Sequence, residues 1–139
     1  MTQFPDYPAY DEEFHAYGLK CVIKVSLDLG HLCGYIVVPI DHPLFGRERE
    51  EELDNLEVHG GLTWVGHMPT TDNPNEWCFG FDCCHLFDLV PAFVEHRTKH
   101  NILAPGGKSH VFRDNTFVRK ESKKLAKQLK EIADGAAQA

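Results

Sequence analysis

Residues 19–39 read LKCVIKVSLDLGHLCGYIVVP, and this stretch decides the fold. Its first part, Leu19 to Leu27, is β-branched and partly alternating, which marks a strand. Asp28, Leu29 and Gly30 make a turn, and His31 to Pro39 form a second strand hairpinned to the first. Further along, residues 76–83 (EWCFGFDC) alternate aromatic and small side chains, as a buried strand does. Val58 and Leu62–Val65 read as strand ends around a tight turn at Gly60 and Gly61. Short turns join these strands and no crossover helix intervenes, so the sheet is expected to be antiparallel. The clearest helix comes last, over residues 115–134. Asn115 or Thr116 caps it, Val118, Leu125, Leu129 and Ile132 form its apolar stripe, and Gly135 ends it. Strands followed by one long helix predict a single α+β domain over 1–139.

The remaining segments carry weaker signals. Residues 1–18 read as an acidic, aromatic extended arm. Residues 40–46, 67–75 and 93–112 read as loops, the last broken by Pro105, Gly106 and Gly107. Residues 47–54 are almost all charged and start a short helix or form a solvated loop.

A chain of 139 residues suits one domain and can bury a core without staples. Its nine Phe, four Tyr and two Trp argue against disorder. No apolar run of membrane-spanning length occurs, and the N-terminus lacks the basic and apolar regions of a signal peptide. The net charge of −7 divides into −10 over residues 1–112 and +3 over 113–139. Such an acidic body argues against duplex nucleic acid as a partner. The cysteine count of five is odd and follows no leader, which fits reduced thiols in a cytoplasm.

Nine histidines make the chemistry. Asp82, Cys83, Cys84, His85 and Asp88 cluster at the end of the 76–83 strand, where a sheet holds a site and a loop exposes it. With His31 and Cys33, the residues Cys83 and His85 would supply four zinc donors, although the spacing is not that of a zinc knuckle. Cys83 as nucleophile, with His59 or His85 as base and Asp82 or Asp88 to orient it, has the residue types of a thiol hydrolase. His59, Gly60, Gly61 and Thr63 suit an anion cradle of backbone N–H groups, against the plainer reading of a hairpin turn. His42 sits in a loop stiffened by Pro39 and Pro43. Arg113, just before the last helix, could meet an anion in bidentate fashion, helped by the helix N-terminus. An aromatic near these clusters, among Tyr35, Phe45, Trp64, Trp77, Phe79 and Phe81, could stack a nucleobase.

Taken in order, the motifs at Gly30–Tyr35, His42–Gly46, Val58–Thr63 and Phe79–Asp88, with the closing helix, form a pattern. It resembles a family of small phage and prophage proteins over residues 19–132. Position 84 departs from the small residue, usually Ala, found there in that family. The resemblance implies a phage origin and a host-cytoplasm setting, in which small accessory proteins counter host defence, some by sequestering nucleotide signals. It carries no reaction with it.

These readings give three expectations. The first is a ligand-binding protein whose pocket gathers His42, His59, Gly60, Gly61, Thr63, Asp82, His85, Asp88 and Arg113 around a small phosphorylated or nucleotide-like molecule. The second is a Cys- or metal-dependent hydrolase. The third is an acidic module, built on residues 1–16 and 47–57, that masks a host protein surface. A homodimer is compatible with all three.

Overall fold

The computed structural model describes residues 4–48, 53, 55–68, 73–99 and 110–138. Five strands form one sheet: β1 (Glu12–Ala16), β2 (Leu19–Val25), β3 (Leu32–Val38), β4 (Trp64–Gly66) and β5 (Trp77–Asp82). Their order is β1-β2-β3-β5-β4, and every neighbouring pair is antiparallel. Two helices complete the fold, α1 (Pro91–Lys99) and α2 (Asn115–Gln138). The chain is an α+β domain with a long C-terminal helix. No helix among the described residues is long and apolar enough to cross a membrane.

The β2–β3 hairpin follows the sequence pattern. Leu19, Cys21 and Ile23 of β2 and Leu32, Ile36 and Val38 of β3 face one side, as alternation requires, and are buried there with Phe79 and Phe81 of β5. Val118, Ser122, Leu125, Ala126 and Leu129 of α2 cover that side. Ser122 fills the gap between Val118 and Leu125 in the apolar stripe. It sits over Gly34, where an added Cβ would lie 2.5 Å from the Phe81 ring and 2.9 Å from Ser122 Oγ. Glycine is required there because helix, strand and ring converge. A smaller cluster of Val22, Val37, Met68 and Cys78, with Tyr35, forms on the opposite face.

Four expectations change. Part of the N-terminal arm is a strand, β1, joined to β2 by Tyr17 and Gly18, both at positive φ as a two-residue hairpin turn demands. Its docking comes from side chains distant in sequence. Asn115 exchanges hydrogen bonds with the Tyr10 backbone, and Arg119 grips the Glu12 carboxylate at 2.7 and 2.9 Å. Part of the expected 93–112 loop is helix α1. It has no apolar stripe to betray it, and only Pro91, at its first position, is buried. The Pro105–Gly107 break lies outside the described residues. Around Gly60 and Gly61 only β4 forms; Val58 to Gly61 is a turn, closed by the Gly61 N–H donating to Val58 O at 2.8 Å. Finally, α2 is capped by Asp114, whose Oδ1 accepts the Phe117 N–H at 2.9 Å, and it continues through Gly135.

Candidate functional site

The ionisable residues gather at one end of the sheet, where β5 ends, β3 begins and α2 starts. Asp88 is the anchor. Its carboxylate is fully buried and takes three kinds of donor. His59 Nε2 lies 2.8 Å from Oδ2 and 3.0 Å from Oδ1, Arg113 Nε lies 3.0 Å from Oδ1, and the His85 N–H lies 3.1 Å from Oδ2. Burial alone would raise the carboxyl pKa, but the bonds from His59, His85 and Arg113 outweigh it and hold the group below its ordinary range. Asp88 therefore orients a histidine and an arginine together.

The backbone explains the placement. The Asp88 N–H donates to His85 O at 3.0 Å, closing a turn over Leu86 and Phe87. Phe87 has φ +73°, a left-handed conformation that costs a bulky residue about 1–2 kcal/mol. Asp88 also bridges Val111, which fixes the approach of Arg113 to α2. On the other side, the Val58–Gly61 turn presents His59. Gly60 has φ +71°, and a Cβ there would fall 2.1 Å from His85 Nε2, so glycine is required twice over. The His59 and His85 rings stand edge to face with centroids 5.7 Å apart. His85 Nε2 lies 3.0 Å from Asp82 Oδ1, off the line of a hydrogen bond, and is buried without a hydrogen-bond partner.

Two members were not expected. Phe117 places its ring edge to face with His59 at 5.1 Å, and the Arg113 guanidinium lies 4.6 Å above the same ring. Glu121 Oε1 accepts the His59 N–H at 2.9 Å. Phe117 and Glu121 are four residues apart, so the start of α2 lines them up on one face, and Arg113 lies just before the Asp114 cap. That spacing was a usable signal in the sequence.

The expected anion cradle is altered. The His59 N–H is committed to Glu121 and the Gly61 N–H to the turn. The first turn of α2 is capped by a carboxylate. Thr63 is exposed at the start of β4, its N–H donating to Gly80 O; its side chain makes no hydrogen bond to the cluster among the described residues. His42 does not belong here at all. It is buried as a brace, its Nε2–H donating to Leu129 O at 2.9 Å and its Nδ1 accepting the Leu44 N–H at 3.0 Å. Leu129 is twelve residues along α2 from Phe117, or about 18 Å at a helical rise.

The zinc expectation is also corrected. Cys33 pairs with Asp82 across the ladder, so these two share the sheet face away from α2. Cys83, the next residue, turns to the helix side and joins the main core. Cys33 and Cys83 thus lie on opposite faces. Among the described residues no three His, Cys, Asp or Glu side chains are grouped to hold a metal. The nucleophile reading meets the same burial. Cys83 is 1% exposed, and burial, then the charge of Asp88, push its thiol pKa far up, which disfavours the thiolate. His31, just before β3, is within electrostatic reach of Asp82, Asp88 and His85. It is 7% exposed, Nδ1 has no partner, and burial lowers its pKa.

No known protein family, no curated protein and no solved structure matches this chain.

Proposed function

We propose that the chain binds a small anionic, phosphorylated or nucleotide-like ligand at the Asp88-centred site, with His59 and Arg113 as its main contacts. One observation carries this reading. Asp88 takes only Nε of Arg113 and Nε2 of His59, and both are steadied by the Phe117 ring. The two terminal amino groups of Arg113 and Nδ1 of His59 have no hydrogen-bond partner among the described residues. A fork of donors held by a buried carboxylate suits a phosphate or carboxylate group.

Beside these donors, the loop carrying Asp88 exposes Leu86 and Phe87, and Val111 of the bridge is exposed next to them. An apolar rim adjoining an anion contact fits a nucleotide-like molecule better than free phosphate. The phage resemblance adds a setting, the sequestration of a nucleotide-type defence signal in a host cytoplasm.

Of the competing readings, the Cys- and metal-dependent hydrolases lose their nucleophile and their ligand set. The masking module loses part of its acidic surface, because Glu12 is gripped by Arg119. The segment 47–57 lies partly outside the described residues.

Native mass spectrometry of protein purified without added ligand, followed by calorimetry with a panel of mononucleotides and cyclic dinucleotides, tests the proposal. The expected result is a retained mass in the nucleotide range, or binding that weakens at least tenfold in Arg113→Gln. A panel that neither binds nor raises the melting temperature overturns it.

A further inference from the structure

The two histidines at this site are matched in a way that simple binding does not require. In each ring Nε2 faces a carboxylate, Asp88 for His59 at 2.8 Å and Asp82 for His85 at 3.0 Å. In His59 the Nδ1 atom has no hydrogen-bond partner among the described residues, and in His85 the buried Nε2 has none. The centroids are 5.7 Å apart and the rings stand edge to face. Gly60 alone permits the approach, since any side chain at that position would occupy the place of His85. Arg113 shares the Asp88 carboxylate with His59 and directs a cation to the same place. The thiol of Cys83 is buried in the core and the Ser122 hydroxyl is buried between α2 and β3, so neither can serve as the attacking group.

We infer that His59 and His85 form an acid–base pair that hydrolyses a phosphodiester bond in a nucleotide-like ligand without a metal ion. The inference rests on the binding reading above and adds a reaction to it. Water is the nucleophile. His59 Nδ1 takes a proton from the water as its oxygen bonds to phosphorus. The bond from phosphorus to the leaving oxygen breaks, and that oxygen takes the proton carried by His85. Arg113 meets the non-bridging oxygens, where charge accumulates. The products are a phosphomonoester and an alcohol. Exchange with solvent returns the proton from His59 and restores the one on His85. Asp88 keeps His59 in the tautomer that leaves Nδ1 bare and stabilises the ring once it is charged. The ionisable groups around the pair are Asp82 at the end of β5, Asp88 after it, His31 just before β3, Arg113 just before α2, and Glu121 of α2 on the His59 backbone N–H.

The full chain is assayed with bis(4-nitrophenyl) phosphate, 2′,3′-cyclic and 3′,5′-cyclic mononucleotides and cyclic dinucleotides, in excess EDTA, from pH 5 to 9. The expected result is chelator-resistant turnover with a bell-shaped pH profile. His59→Asn and His85→Asn, each confirmed folded by its melting temperature, lower kcat about 100-fold or more and each removes one limb of the bell. Cys84→Ser leaves turnover unchanged. Turnover that EDTA abolishes, or that both histidine variants retain, overturns the inference. Ligands that bind by calorimetry but are returned intact overturn the reaction and leave the binding reading standing. Failure of the whole panel to bind or react removes both.

Discussion

Asp88 is the residue on which most depends. It is a buried carboxylate that no apolar environment would tolerate alone, and its partners come from three separate stretches of chain. Replacing it by Asn keeps the size and removes the charge, leaving Arg113 without its counter-ion in a half-buried place. We expect Asp88→Asn to cost about 2–4 kcal/mol of folding stability in urea unfolding. The pH dependence has a definite sign. The folded pKa of Asp88 is depressed below 3.8, so its contribution is complete above that value and is lost as the pH falls toward the folded one. Glu12 is depressed in the same way, chiefly by its bond from Arg119. Stability should therefore be flat near neutrality and decline below about pH 4. The decline should be shallower in Asp88→Asn. A variant that unfolds with the wild-type acid profile would remove Asp88 from this role.

Among the elements, α2 both closes the core and supplies the site. The stripe of Val118, Leu125, Leu129 and the partly buried Ile132 was legible from spacing, because a helical period is a local property. Ser122 was not, since nothing in the sequence says that Gly34 and the Phe81 ring leave room for only a small side chain there. Its hydroxyl is buried with no hydrogen-bond partner among the described residues. Ser122→Ala should then be neutral or stabilising by up to about 1 kcal/mol in thermal or urea unfolding. A loss of more than that would show that the hydroxyl is bonded in solution. The helix α1 escaped the sequence for the opposite reason. A short helix with an exposed, polar surface has no period to read.

At the scale of the whole molecule, the thiols report which surfaces the fold covers. Cys21, Cys78 and Cys83 are at most 1% exposed, Cys33 is half-buried and Cys84 is exposed. Burial raises the Cys21 thiol to about 11 and the Cys78 thiol to about 12. Titration of the native protein with an aromatic disulfide reagent at pH 8 should modify Cys84 quickly and the three core thiols only on unfolding. Rapid modification of Cys83 in the native state would reopen the thiol-nucleophile reading and contradict this packing.

The sequence by itself determined the α+β class, the central hairpin, the buried third strand and the long final helix. Each of these rests on a period of two or 3.6 residues, which short-range sterics impose wherever the chain runs. It also singled out His59, Asp82, His85, Asp88 and Arg113. Only the tertiary structure decided which of the candidates meet. The register that pairs Cys33 with Asp82 places Cys83 on the other face and so dissolves the zinc set. The length of α2 separates His42 from His59, while its first turns bring Phe117 to the imidazole and Glu121 to the His59 backbone N–H. These choices belong to strand order and helix placement. They are fixed by contacts between residues far apart in the chain, and no local pattern records them.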